Sequence, residues 1–147
     1  MSAVTPRRRA RELVLQGLYE RQLAGTPDDA IAASLAQCDG HARADVAYFD
    51  ALWRGVTAEY ASLLAVLAPH VDRPMEKLSP IERAVLVIGA WELTHRLDVP
   101  WRAVIDEAVE LAKRFGGTDG YKFVNGVLDK LAQRLRAAEI RAAGERR

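Results

Sequence analysis

Apolar residues along the chain recur every three to four positions, and no segment alternates apolar and polar residues for long enough to be a strand. The pattern is that of amphipathic helices throughout. The first periodic segment, TPRRRARELVLQGLYERQLAG at residues 5–25, puts Ala10, Leu13, Val14, Gly17 and Leu18 on one stripe. Thr5 is its expected N-cap, Pro6 takes the first helical position, where a missing N–H costs nothing, and the helix should end near Gly25. A weaker helix is predicted between Asp28 and Cys38. Next comes a long one from about Arg43 to Leu67, with Val46, Phe49, Leu52, Trp53, Val56, Tyr60, Leu63, Leu64 and Leu67 on its stripe, stopped by Pro69.

The stretch PHVDRPMEKLSP, residues 69–80, holds three prolines and is too short for a flexible linker, so a hinge between two subdomains is expected there. Ser79 and Glu82 then form a capping box with Pro80 at the first helical position. The helix they open runs to about Arg96 and is apolar nearly all round, as a buried central element would be. Pro100 introduces another helix through Val104, Ile105, Ala108, Val109 and Leu111, which should close at Gly116 and Gly117 as a glycine C-cap. Thr118 is the expected cap of the last long helix, whose core face is Val124, Val127, Leu128, Leu131 and Leu135. Asn125-Gly126 is a hairpin signal elsewhere. Inside this stripe Gly126 is instead expected where another backbone approaches closely, against about 1 kcal/mol of lost helix propensity. Beyond Arg136 no apolar stripe continues. The pattern therefore predicts a compact all-α domain with a subdomain over 6–68, a hinge over 69–79, a subdomain over 80–136 and a frayed tail over 137–147.

Composition narrows the class. At 147 residues, 50% hydrophobic and 28% charged, the chain has the profile of a soluble globular domain able to bury its own core. Its longest apolar run, AVLVIGAWEL at Ala84–Leu93, is interrupted by Glu92 and falls short of the ~20 residues a bilayer span needs. The single cysteine, Cys38, cannot form an internal disulfide, and the N-terminal arginines precede no apolar run with a cleavage site; a cytoplasmic protein is expected.

A net charge of +1 conceals an uneven distribution. Residues 1–24 carry five arginines against Glu12 and Glu20, a net of +3; residues 130–147 carry a net of +4, which leaves −6 for residues 25–129. Such asymmetry suits a polyanion at the ends and a basic protein at the centre, or else solvated basic tails. On the first helix, Arg8, Arg11, Leu15 and Tyr19 align on a face expected to be exposed, and Arg7 and Arg9 flank the core stripe. Cations at a helix N-terminus oppose the macrodipole by about 0.3–1 kcal/mol apiece, and Arg7 and Arg11 repel at i,i+4. Something other than local stability favours them. A guanidinium row beside an aromatic ring suits single-stranded RNA, whose phosphates and unpaired bases need these two groups; pairing with carboxylates of the acidic centre is the structural alternative. On the last helix Phe123 falls outside the core stripe near Asp119, Gly126 and Lys130, with Lys122 beyond, positioned to stack on a base or to pack under a loop.

Catalysis has little support in the sequence. Cys38, His41, His70 and His95 lie on different segments without the spacing of a zinc site or a nucleophile–base motif. His95 is placed to cap its helix C-terminus, and the adjacent Asp106 and Glu107 point in different directions. No catalytic residue, metal or cofactor is expected.

RRRARE ahead of a leucine-rich helix with Tyr19, then SPIERAVLVIGAWEL, VIDEAVELAKRFGG and YKFVNGVLDKLA, together resemble the NusB family of bacterial transcription antitermination factors. The likeness runs from Arg7 to about Leu135, is weakest between Ala24 and Ala44, and is most specific in the last two motifs. It implies two three-helix subdomains and binding to boxA, a single-stranded leader RNA element, together with NusE, a small-subunit ribosomal protein. The resemblance further implies entry into the RNA polymerase antitermination complex, notably on ribosomal RNA operons. Carried over by position, Arg7, Arg8, Arg9 and Arg11 would contact RNA, Tyr19 would lie beside them, and Asp119, Lys122 and Phe123 would contribute from the last helix. Glu82, with Glu76 second, matches the face that meets NusE. Gly120 and Tyr121 depart from the usual polar residues ahead of Lys122. Self-association of the kind some relatives show is left open, as is a protein-only helical adaptor that docks a basic partner.

Overall fold

The computed structural model describes residues 4–145, and every regular element among them is helical. In chain order these are α1 (Pro6–Ala24), α2 (Asp28–Leu35), a 3-10 turn (Asp39–Arg43), α3 (Val46–Ala58) and α4 (Tyr60–Leu67). After 3-10 turns at Ala68–His70 and Met75–Lys77 come α5 (Pro80–His95), α6 (Trp101–Phe115), α7 (Gly120–Leu135) and α8 (Ala137–Glu145). Two compact units divide between Tyr60 and Ala61.

In the first unit, α1 packs on α2, α3 and the 3-10 turn. The Thr5 side chain accepts from Arg8 N at 3.1 Å, and Gly25 ends α1 at φ +66°, a left-handed conformation that glycine adopts without steric penalty. Ala10, Leu13, Val14, Gly17 and Leu18 are buried as the stripe requires. Gly17 allows the closest approach: a Cβ there would lie 2.6 Å from Cζ3 of Trp53. The start of α2 is fixed from both neighbours, since Arg21 Nε donates to Asp28 Oδ1 at 2.7 Å and Trp53 Nε1 to Asp28 O at 3.3 Å.

The long helix expected to Leu67 is interrupted at Glu59, which has φ −109° and ψ 17°. Two residues earlier the Thr57 hydroxyl donates to Trp53 O at 2.8 Å and Arg54 O at 3.3 Å, a back-bonding arrangement that bends helices. The 69–79 segment, expected as the hinge, belongs instead to the second unit. Arg83 Nε donates to Met75 O at 3.1 Å, and its Nη2 donates to Glu76 O and Leu78 O at 3.3 and 3.0 Å, fastening the segment to α5.

The second unit is built around α5, which α6 and α7 flank and which is buried at every position from Ala84 to Leu93. The N-cap half of its capping box is formed, Ser79 Oγ accepting from Glu82 N at 3.1 Å, while the Glu82 carboxylate accepts from the Ser79 hydroxyl at 2.8 Å rather than from its backbone N–H. The close approach expected at Gly126 occurs at Gly89, where a Cβ would lie 2.7 Å from Cδ1 of Leu128; nothing lies within 4 Å of a Cβ at Gly126. Gly116 does cap α6, donating to Ala112 O at 2.8 Å, but in extended rather than left-handed conformation. Thr118 is exposed and does not cap α7; a tight turn with Gly120 N bonded to Gly117 O passes that position to Asp119.

The tail expected to fray is helical through Glu145, while residues 146 and 147 lie outside the described residues. What holds α8 is Arg136, 3% exposed, which donates to Leu93 O (2.8 Å), Val99 O (3.0 Å), Arg96 O (3.0 Å) and Glu92 O (3.2 Å). Of these, Leu93 O is an orphan carbonyl at the end of α5, whereas Glu92 O also accepts from Arg96 N at 2.9 Å. Glu139, on the first turn of α8, accepts from Arg136 Nη1 and from Trp101 N at 3.0 Å, so the same junction also satisfies an N-terminal donor of α6. Polar anchoring replaces the missing apolar stripe.

Candidate nucleic-acid interface

The first-unit part of the candidate surface is the N-terminal turn of α1. Arg7, Arg8 and Arg9 are each half-buried there, and Tyr19 is 42% exposed three turns on. Arg7 lies over the Tyr48 ring at 4.3 Å from its centroid, with its Nε 4.0 Å from Asp45 Oδ2. Asp45 is itself fixed: its carboxylate accepts from Tyr48 N at 3.0 Å, capping α3, and its N–H donates to Pro6 O at 2.9 Å. Arg9 runs its stem past Gly40 and sets Nη1 3.7 Å from Glu12 Oε1, with its Nε buried and without a hydrogen-bond partner.

Arg11 and Leu15 are not exposed as the wheel predicts: they are 4% and 2% exposed. Arg11 lies 5.4 Å from the centroid of the same Tyr48 ring. The i,i+4 pair of like charges is therefore accommodated at one ring, which attracts both guanidinium groups. Tyr48 was missed in the sequence because its position lies off the α3 apolar stripe. Of the predicted outward row Arg8 and Tyr19 remain, with half-buried Arg7 and Arg9 beside them, and Arg11 becomes a buried support.

The second-unit part surrounds the start of α7. Asp119 and Lys122 are exposed and pair at 3.4 Å across i,i+3. Tyr121 is half-buried between two ammonium groups, Lys113 at 4.9 Å and Lys122 at 6.0 Å from its ring centroid. Phe123 is also half-buried, with the Arg73 guanidinium 4.8 Å from its centroid. Arg73, on the segment between the two 3-10 turns, carries no sequence signal that would mark it. Its Nε donates to Asp72 Oδ1 at 2.8 Å, and that bond holds the Asp72 carboxyl below its ordinary value and raises Arg73.

Glu82 adjoins this surface: a Cβ on Gly120 would lie 3.1 Å from Glu82 Oε1. Glu76 is exposed on the 3-10 turn that Arg83 fastens. The acidic residues and the basic, aromatic residues of the second unit thus occupy contiguous ground. Among the described residues no group of three or more His, Cys, Asp or Glu side chains is placed to hold a metal ion, and no helix is long and apolar enough to cross a membrane.

Fold and surface together define an all-helical protein with aromatic residues and cations at the exposed ends of two helices. A family profile described as "NusB family" matches residues 8–133, and the chain belongs to that family. It is 54% identical over 140 residues to the transcription antitermination protein NusB of Paraburkholderia xenovorans (strain LB400), covering 95% of this chain and 97% of the relative. The protein of the same name from Ralstonia pickettii (strain 12J) is 51% identical, covering 95% and 90%. Among solved structures, T. maritima NusB superposes with a TM-score of 0.78 at 30% identity, over 89% of this chain and 93% of that one. A chain from a crystal structure of antitermination factors NusB and NusE in complex with dsRNA shares the fold, with a TM-score of 0.74 at 21% identity over 86% and 96%.

Proposed function

We propose that this chain is an RNA-binding transcription antitermination factor that binds boxA leader RNA together with NusE and joins the RNA polymerase antitermination complex, notably on ribosomal RNA operons. It acts in the cytoplasm by binding, without catalysis, metal or cofactor. The observation that carries the reading is the N-terminal turn of α1. There Arg7, Arg8 and Arg9 stand where the helix dipole disfavours cations, ahead of an exposed Tyr19, in a chain of this family. Phosphate contacts from these arginines and from Lys122 position the RNA, and Tyr19 and Phe123 offer faces on which unpaired bases stack. Asp119 orients Lys122 through their ion pair. Glu82 and Glu76 supply the charge that a basic ribosomal protein meets.

An RNA-binding assay with boxA and a scrambled strand, each with and without NusE, tests partner, ligand and specificity together. Combined Arg8→Ala and Lys122→Ala should weaken boxA binding at least tenfold, as loss of two charge-assisted contacts requires, with the circular dichroism spectrum unchanged. Unaltered affinity in that variant would overturn the RNA assignment and leave a protein-only adaptor docked through its acidic face.

A further inference from the structure

The pair Asp72 and Arg73 has no role in the fastening of its own segment, which Arg83 performs through backbone carbonyls. Both residues are exposed, with side-chain exposures of 75% and 45%. The guanidinium nonetheless has a defined position, against the Phe123 ring on one side and on Asp72 Oδ1 at 2.8 Å. A guanidinium is planar with five N–H donors, and it can lie flat on an aromatic face while its edge addresses an anion. Its edge here addresses a carboxylate, which presents oxygen acceptors much as a phosphate does. Exposed Lys130 on α7 adds a small further pull toward the ionised Asp72 carboxyl.

We propose that Arg73, seated on Phe123, is a phosphate-contacting residue of the RNA surface, and that Asp72 occupies it in the free protein as an internal competitor displaced by the RNA backbone. The inference rests on the RNA-binding reading above and adds to it a contact and a brake. An exposed ion pair between adjacent residues is weak and is exchanged at little cost for a charge-assisted contact to phosphate. Since Arg73 keeps Asp72 ionised below the ordinary carboxylate range, the competitor is fully charged at any pH used to measure binding. The brake therefore reduces affinity without a pH dependence of its own near neutrality. It also gives the Phe123 ring a fixed neighbour, since the Arg73 guanidinium lies 4.8 Å from its centroid.

Two substitutions with opposite signs test this, using the full chain with NusE and boxA RNA. Asp72→Asn removes the competing charge at constant shape and should tighten binding roughly two- to fivefold, the range set by an exposed ion pair. A purely structural role for Asp72 predicts no gain. Arg73→Ala should weaken binding about tenfold and make the slope of log affinity against log salt shallower by about 0.7, one phosphate contact on a single strand. Arg73→Lys, which keeps the charge, should restore the slope. If wild type prefers boxA to the scrambled strand but Asp72→Asn and Arg73→Ala leave affinity and slope unchanged, the inference falls and RNA binding stands. Absence of any boxA preference in wild type would overturn both.

Discussion

Gly17 and Gly126 are both helical glycines in opposite surroundings. A methyl group at Gly17 would meet the Trp53 ring at 2.6 Å, and a buried indole has little room to retreat. Gly17→Ala should therefore lower stability by about 1–3 kcal/mol, the usual cost of overpacking. Gly126→Ala places its methyl in open space and gains helix propensity, so it should raise stability by about 0.5–1 kcal/mol. Thermal denaturation of the two variants reads both signs; a destabilised Gly126→Ala protein would disprove the account of that position. Residue positions on the α1 core stripe were legible because periodicity fixes an angle about the helix axis. Arg11 was misplaced for the same reason: an angle says nothing about which side chain stands opposite, and Tyr48 stands there.

Helix ends in this protein are held by side chains that satisfy the backbone, and these differ in how plainly the sequence announces them. Thr5, Ser79 and Gly25 act on residues three or four positions away, so their motifs are local and readable. Arg136 acts on carbonyls 37–44 residues away, and nothing near it in sequence distinguishes it from the arginines of a solvated tail. Arg136→Lys retains charge but cannot reproduce the planar fork that reaches Leu93 O and Val99 O together, whereas Glu92 O and Arg96 O keep backbone donors from Arg96 and Val99. A loss of about 2–4 kcal/mol in urea denaturation is expected, with early amide exchange in α8. Stability within 0.5 kcal/mol of wild type, about the scatter of surface substitutions, would show that α8 docks by other means. The bend at Glu59 escaped notice because the apolar stripe runs through it without a break; the Thr57 hydroxyl alters the backbone and leaves the stripe intact.

Across the whole molecule, charge separates into basic ends and an acidic middle that together give only +1. If the arginine turn and the α7 edge hold the RNA as proposed, strong salt dependence of binding is expected from those two places, and net charge is a poor guide to it. Contacts from Arg7, Arg8, Arg9, Lys122 and the proposed Arg73 should give a log–log salt slope of about −3.5 on single-stranded RNA, from about −0.7 per phosphate. Glu82→Lys reverses charge on the proposed protein face, so NusE association should weaken while binding of RNA alone is largely kept; equal NusE affinity in a titration would reject that placement. All-helical architecture and family were legible because motifs span most of the chain. The division between Tyr60 and Ala61 was not, since prolines mark where a helix stops and say nothing about which unit a loop is fastened to. The far-reaching bonds of Arg136 also set an order of events during synthesis. The Leu93 carbonyl at the end of α5 must wait for residue 136, whereas the first unit has all of its residues by Tyr60. At about 5–20 residues per second the interval is on the order of ten seconds. Synthesis therefore completes the arginine turn well before the second unit can close, and the last turn of α5 lacks the guanidinium donor to Leu93 O until residue 136 has been added.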